Sequence, residues 1–167
     1  MSSSDLTTRR FVLALLAAGP LAACGFTPAY GPNGPAKDLQ GAIRVGDPAD
    51  KNGFDLVERL EERLGRPQAA RFDLAYDLTT RQVGVGVTPE NAITRYNLVG
   101  VIKWMLTDRG TGATVTSGRV ENFTSWSATG STVAGLSAQE DAAYRLMRIL
   151  ADQMVNQLVA SSGQWLK

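Results

Sequence analysis

Between Arg95 and Thr107 the chain carries apolar side chains at both parities, with Tyr96, Leu98, Ile102, Trp104 and Leu106 in one set and Val99, Val101 and Met105 in the other. Successive side chains of an extended strand point to opposite faces. A strand that is apolar on both faces belongs inside a sheet, with neighbours on either edge. The rest of the domain has to be arranged around it.

The neighbours are close in sequence. Upstream, Phe72, Leu74, Tyr76 and Leu78 alternate with smaller or charged residues from Arg71 to Leu78, the period of a half-buried strand. The phase flips across Thr79 to Gln82, because Val83, Val85 and Val87 then occupy odd positions, and a bulge is expected to keep these valines facing inward. Thr88-Pro89-Glu90-Asn91 forms a turn. Downstream, Asp108-Arg109-Gly110-Thr111-Gly112 carries the residues of a hairpin turn. A fourth strand runs from Ala113 to Ser127, with Phe123 and Trp126 expected in the core.

Two helices flank these strands. Ala42 to Val45 is a short strand ended by Gly46-Asp47-Pro48, after which Asn52 is placed to cap a helix bearing Leu56, Val57, Leu60 and Leu64. Gly65 and Pro67 stop that helix. Residues 125–135 are mostly Ser, Thr, Ala and Gly and are expected to form a mobile loop. Ser137 and Glu140 then match a capping box, followed by the stripe Ala143, Leu146, Met147, Leu150, Met154 and Leu158. The order predicts an α+β two-layer sandwich, a mainly antiparallel four-stranded sheet with two helices packed on one face.

The chain's only cysteine, Cys24, closes a different kind of segment. Arg9 and Arg10 precede an apolar run from Phe11 to Ala23, and Leu21-Ala22-Ala23 stands directly before the cysteine. Basic start, short apolar middle and small-residue cleavage site define a secretory signal peptide. The run is too short for a membrane span, which takes roughly 20 residues. With Cys24 at its end the segment resembles a bacterial lipobox, so residues 1–23 are expected to be removed and Cys24 to be lipidated. Two or more acyl chains on one residue hold a protein at a membrane lastingly. Twin arginines suggest Tat export, but Thr8-Arg9-Arg10-Phe11-Val12 fits that pattern poorly and the Sec route is favoured. Gly25, where an aspartate would retain the protein at the inner membrane, points to the outer membrane, facing the periplasm. Residues 24–40, with Pro28, Pro32, Pro35, Gly31 and Gly34, form an extended tether, leaving residues 41–164 as the folded domain.

Composition excludes several functions. Loss of residues 1–23 removes Arg9, Arg10 and Asp5 and leaves basic and acidic side chains in balance, which argues against a nucleic-acid partner. Histidine is absent, removing the commonest metal ligand and the commonest general base near neutral pH. The cysteine is assigned to lipid, and Glu61-Glu62 and Glu140-Asp141 are helix-borne surface charges. Gly84-Val85-Gly86 lacks the third glycine and the following helix of a phosphate loop. Neither an enzyme nor a metal or cofactor is expected. Arg81, Arg95, Lys103 and Arg119 lie on or beside the predicted sheet, and arginine forks suit phosphate groups; taken singly, strand arginines usually point at solvent.

Cys24-Gly25-Phe26-Thr27-Pro28-Ala29-Tyr30-Gly31 resembles the mature N-terminus of the lipopolysaccharide-assembly lipoprotein family, LptE, in its alphaproteobacterial branch. The order of elements after it is also similar. The resemblance implies an outer-membrane lipoprotein that plugs the LptD β-barrel and contacts lipopolysaccharide on its way into the outer leaflet. It also implies lipopolysaccharide binding by a basic residue on the strand leading to an aromatic loop, a place taken here by Arg119 in Ser117-Gly118-Arg119-Val120-Glu121-Asn122-Phe123, and less directly by Arg95. The alternative is an auxiliary lipoprotein of an ABC-type lipid transport system, which has a similar size and α+β make-up.

Overall fold

The structure is a computed structural model that describes residues 31, 34, 36–128 and 131–166. Among the described residues the chain forms β1 (Ile43–Val45), α1 (Lys51–Leu64), β2 (Phe72–Val87), β3 (Ile93–Asp108), β4 (Thr114–Ser127) and α2 (Thr132–Trp165). The sheet order is β1-β2-β3-β4, with β1 parallel to β2 and the other pairs antiparallel. The expected α+β sandwich is what forms, and β3, the strand with two apolar faces, is interior.

The turns follow from their residues. In the β3–β4 hairpin the Asp108 carboxylate accepts hydrogen bonds from the backbone N–H of Gly110 (2.8 Å) and Thr111 (3.0 Å). Gly112 supplies the left-handed φ of 71° that closes the turn. At the β2–β3 turn Asn91 takes a φ of 62°, a conformation asparagine tolerates better than most residues.

Both helices begin earlier than the sequence patterns suggest. The cap of α1 is Asp50, whose carboxylate accepts from Gly53 N–H at 2.7 Å, so Asn52 is already inside the helix. Gly65, with φ 77°, ends α1 as expected. The cap of α2 is Ser131, so the Ser137–Glu140 pair lies within the helix and caps nothing. The expected loop between 125 and 135 is correspondingly short, since β4 continues to Ser127 and only residues 129–130 fall outside the described chain. Residues 36–40, assigned from sequence to the tether, form turns, and both Ala36 and Leu39 are buried, so the folded body starts before position 41.

Both helices cover the even-numbered face of β2, β3 and β4. Leu56, Leu60 and Leu64 of α1 and Leu146, Leu150, Met154 and Leu158 of α2 pack against Phe72, Leu74, Ile102 and Leu106. The α2 stripe is centred on Ala142 and Ala151, with Ala143 only half-buried. The two helices are clamped together by charge. Arg59 donates two hydrogen bonds of 3.0 Å to Asp152, Arg63 donates one of 2.7 Å to it, and Glu62 accepts from Arg59 at 2.8 Å. Burial works against ionising Asp152, but the hydrogen bond and charge of Arg59, with the charge of Arg63, outweigh it and hold the carboxyl below its usual range.

The β2–β3 hairpin departs from expectation. The bulge expected across Thr79 to Gln82 is not there: pairing with β3 is regular through Gly84, and the register shifts fall between Gly84 and Gly86 and between Gly86 and Val87. Of the valines it was expected to turn inward, Val87 is exposed to 60% and Val85 to 48%, and Val83 is half-buried. The last pair that β3 makes with β4 is Arg95 with Ser127, so beyond it the hairpin is a two-stranded ribbon with no third strand beside it among the described residues. No described helix is long and apolar enough to cross a membrane.

Candidate functional site

The open, odd-numbered face of the sheet collects most of the basic strand residues. Cross-strand registers place Asp77, Lys103 and Arg119 in one row and Arg81, Val99 and Phe123 in another, with Thr79, Val101 and Glu121 between them. Lys103 and Arg119 are therefore directly opposite one another, like charges that a sheet avoids unless something compensates. Part of the compensation is Glu121, which forms an ion pair with the exposed Arg119 guanidinium. Lys103 makes no ion pair among the described residues.

Packing on the other side of the sheet sets where Arg119 stands. The Trp104 ring fills the space that a side chain at 118 would need, for a Cβ built on Gly118 falls 2.5 Å from the ring. Trp104 Nε1 donates to Gln157 Oε1 at 3.2 Å, and Gln157 Nε2 donates to the backbone carbonyl of Arg119 at 3.2 Å. One α2 glutamine thus latches the helix both to the buried tryptophan and to the strand that carries the arginine. Arg119 is held from behind while its guanidinium faces solvent.

Arg95 is exposed on the same face but eight positions along β3 from Lys103, at the end where β4 stops. At about 3.3 Å per strand residue that is roughly 26 Å from the Lys103–Arg119 pair. The structure brings Arg119 and Lys103 together and leaves Arg95 apart. Arg81, also exposed, lies between them on β2. Cys24 lies outside the described residues.

Apolar side chains share this face with the cations. Phe123 is 56% exposed and Met105 43%, and Val99 and Val101 are half-buried between them. Placing Phe123 in the core is therefore corrected, whereas Trp126 is buried and stacks on Tyr96 with ring centroids 5.4 Å apart. Parity carried the signal: Phe123 shares its register with Arg119 and Glu121, and Trp126 shares its own with Val120 and Thr124. A shallow depression of about 270 Å³, lined by Ala75, Asp77, Lys103 and Met105 among others, adjoins the basic pair. Among the described residues no three potential metal ligands cluster. What this face offers chemically is fixed positive charge beside exposed hydrocarbon.

The comparisons agree on what this architecture is. Residues 41–158, which span the whole sheet and most of α2, match the family model described as LptE, lipopolysaccharide-assembly, a role in assembly and not in catalysis. No curated protein matches the sequence. Among solved structures, a Caulobacter crescentus CB15 chain described as a lipoprotein superposes with a TM-score of 0.64 at 21% identity, covering 77% of this chain and 96% of its own. The rare lipoprotein B of Shewanella oneidensis gives a TM-score of 0.58 at 12% identity over 75% of this chain and 98% of its own. A minor lipoprotein from Acinetobacter baumannii gives 0.52 at 17% identity over 71% and 89%. These likenesses are of fold, and the family follows from the model that spans the folded body: the chain belongs to the LptE family of lipopolysaccharide-assembly lipoproteins.

Proposed function

We propose that this protein is the lipoprotein partner of an LptD-type outer-membrane β-barrel, that it plugs and helps assemble that barrel, and that it contacts lipopolysaccharide in transit. Lipid on Cys24, after removal of residues 1–23, anchors it in the outer membrane with its domain facing the periplasm, and the segment after Cys24 tethers the domain. The observation that carries the reading is the family match across the folded body, residues 41–158. A compact domain with a largely polar surface also suits a barrel lumen, which is polar.

The open face supports the lipopolysaccharide part. Its ligand is an amphiphile carrying phosphate beside acyl chains. Arg119 and Lys103 present cations suited to phosphate, next to Met105, Val101 and Phe123. Arg95, far along the same face, is a secondary contact. The first test is crosslinked pull-down of the tagged lipoprotein from outer membranes, identified by mass spectrometry. A stoichiometric large barrel protein is the expected result; permease or solute-binding components without a barrel would instead assign the chain to the ABC-type auxiliary lipoproteins. Cys24→Ser is expected to leave an unprocessed precursor that takes up no fatty acid, and normal labelling would refute the anchor.

A further inference from the structure

The two edges of the sheet are finished differently. On β4 the outward groups belong to odd-numbered residues, and the chain itself occupies several of them. The carbonyls of Arg119 and Ser125 accept hydrogen bonds from Gln157 and Arg145 of α2, and Phe123 N–H donates to the side-chain oxygen of Asn122. On β2 the outward groups belong to even-numbered residues, as shown by Phe72 N–H donating to Ala42 and the Leu74 carbonyl accepting from Gly46. β1 covers only Phe72 to Leu74. Beyond it Tyr76, Leu78, Thr80 and Gln82 present backbone donors and acceptors that no described residue pairs. Neither proline nor lysine, the usual guards of such an edge, occurs between Tyr76 and Val83. The regular stretch ends at the register shifts around Gly84 and Gly86, so the opening takes one short strand.

The side chains around this edge say what that strand has to be. On the covered face Tyr76 and Leu78 are only half-buried, which leaves apolar area beside the edge. On the open face Asp77 and Arg81 are exposed and make no ion pair among the described residues. Next to Asp77 the edge opens into a depression of about 340 Å³ that Asp47 and Asp50 also border, and none of the residues lining it is basic. Burial first, and then the charges of Asp50 and Asp47, raise the Tyr76 hydroxyl above its ordinary pKa. The negative charge is thus felt at the edge itself.

We propose that this edge takes up an extended segment of a different protein as a fifth strand, antiparallel to β2, with a Lys or Arg opposite Asp77 and an Asp or Glu opposite Arg81. Antiparallel pairing is the more stable per residue. The even-numbered residues of β2 then form the hydrogen-bonded pairs, and Asp77, Thr79 and Arg81 the closer, non-hydrogen-bonded ones, where side chains meet most directly. In strand addition of this kind the main chain supplies affinity and alternate side chains select the partner. Apolar residues of the segment cover Tyr76 and Leu78, and its basic side chain has Asp47 and Asp50 beside it as well as Asp77. The chain's own N-terminal segment does not fit, since residues 24–35 contain no Lys or Arg and include Pro28, Pro32 and Pro35. The contact joins one partner segment to one copy of this chain.

The test uses the full chain, purified from membranes in detergent, and two labelled heptapeptides of the same composition. The first, acetyl-Thr-Glu-Thr-Thr-Val-Lys-Val-amide, sets Lys opposite Asp77 and Glu opposite Arg81; in the second, Lys and Glu exchange places. By fluorescence anisotropy the first should bind saturably and several-fold more tightly than the second. In the double variant Asp77→Arg with Arg81→Asp that order should reverse. Saturation with the first peptide should slow hydrogen exchange several-fold at the amides of Tyr76, Leu78, Thr80 and Gln82 and leave that of Phe123, on the other edge, unchanged. Equal affinity for the two peptides, an unreversed order in the double variant, protection at the β4 edge in place of the β2 edge, or absence of saturable binding would each overturn the proposal.

Discussion

The two faces of this sheet are made by alternate residues of the same strands, and they obey different rules. On the even face glycine is placed for contact: a Cβ at Gly100 would lie 2.8 Å from Leu150 and one at Gly118 would lie 2.5 Å from Trp104. On the odd face Lys103 opposes Arg119, Met105 and Phe123 are exposed, and no described element packs over them. The first face holds the fold together; the second is free to carry a function because stability does not depend on it. Every substitution that separates the two faces tests that division of labour.

The largest effect is expected from Leu150→Ala. Leu150 is fully buried between α2 and the sheet, and truncating such a leucine costs about 2–5 kcal/mol through lost transfer and a residual cavity. Chemical denaturation should show a lower midpoint with an unchanged slope. Gly118→Val comes next. It forces the Trp104 ring and Gln157 to move, and overpacking of this kind costs roughly 1–3 kcal/mol. Its particular signature is a shift in tryptophan fluorescence, and an unaltered spectrum would show that the ring tolerates the added methyls.

A smaller, pH-dependent effect is expected from the helix clamp. Because the carboxyls of Asp152 and Glu62 sit below their usual range in the folded protein, their contribution is present above the unfolded value near 4 and lost as pH falls through that value and below. Asp152→Asn should flatten the acid limb of stability against pH while leaving the limb above neutrality unchanged. The smallest effect on stability belongs to the open face. Arg119→Glu should change stability by no more than about 0.5 kcal/mol, as surface substitutions do, yet weaken lipopolysaccharide binding several-fold with barrel association intact. Unchanged binding would return Arg119 to an ordinary solvated strand residue.

Much of the covered face was legible in the sequence, because burial leaves a period. Leu98, Ile102, Trp104 and Leu106 recur at even positions, broken only by Gly100, and all are buried. The reading failed where the period continued after its cause had ended. Val83, Val85 and Val87 keep alternating, but Val83 keeps the odd parity of the open face and Val87 lies where the hairpin has outrun β4, and an alternation says nothing about whether anything is stacked upon it. Phe123 was misplaced by its chemistry although its parity was correct. The helix starts were missed because Asp50 and Ser131 stand among several residues able to cap, and only backbone geometry chooses between them. The basic pair was hidden for another reason: Lys103 and Arg119 are distant in sequence and meet only through the register of a hairpin, which its turn sets.

The position of α2 after all four strands has a consequence for how the fold is made. Leu146, Met147, Leu150, Met154 and Leu158, all fully buried, come from this helix, and the clamp joins Arg59 to a partner 93 residues later. During synthesis the three long strands emerge before α2, with much of their greasy face uncovered, and the core is completed only once α2 has left the ribosome. Until α2 is made, a nascent chain of this design stays loosely organised, a form that can be threaded through a narrow channel, or captured by a chaperone, before it closes.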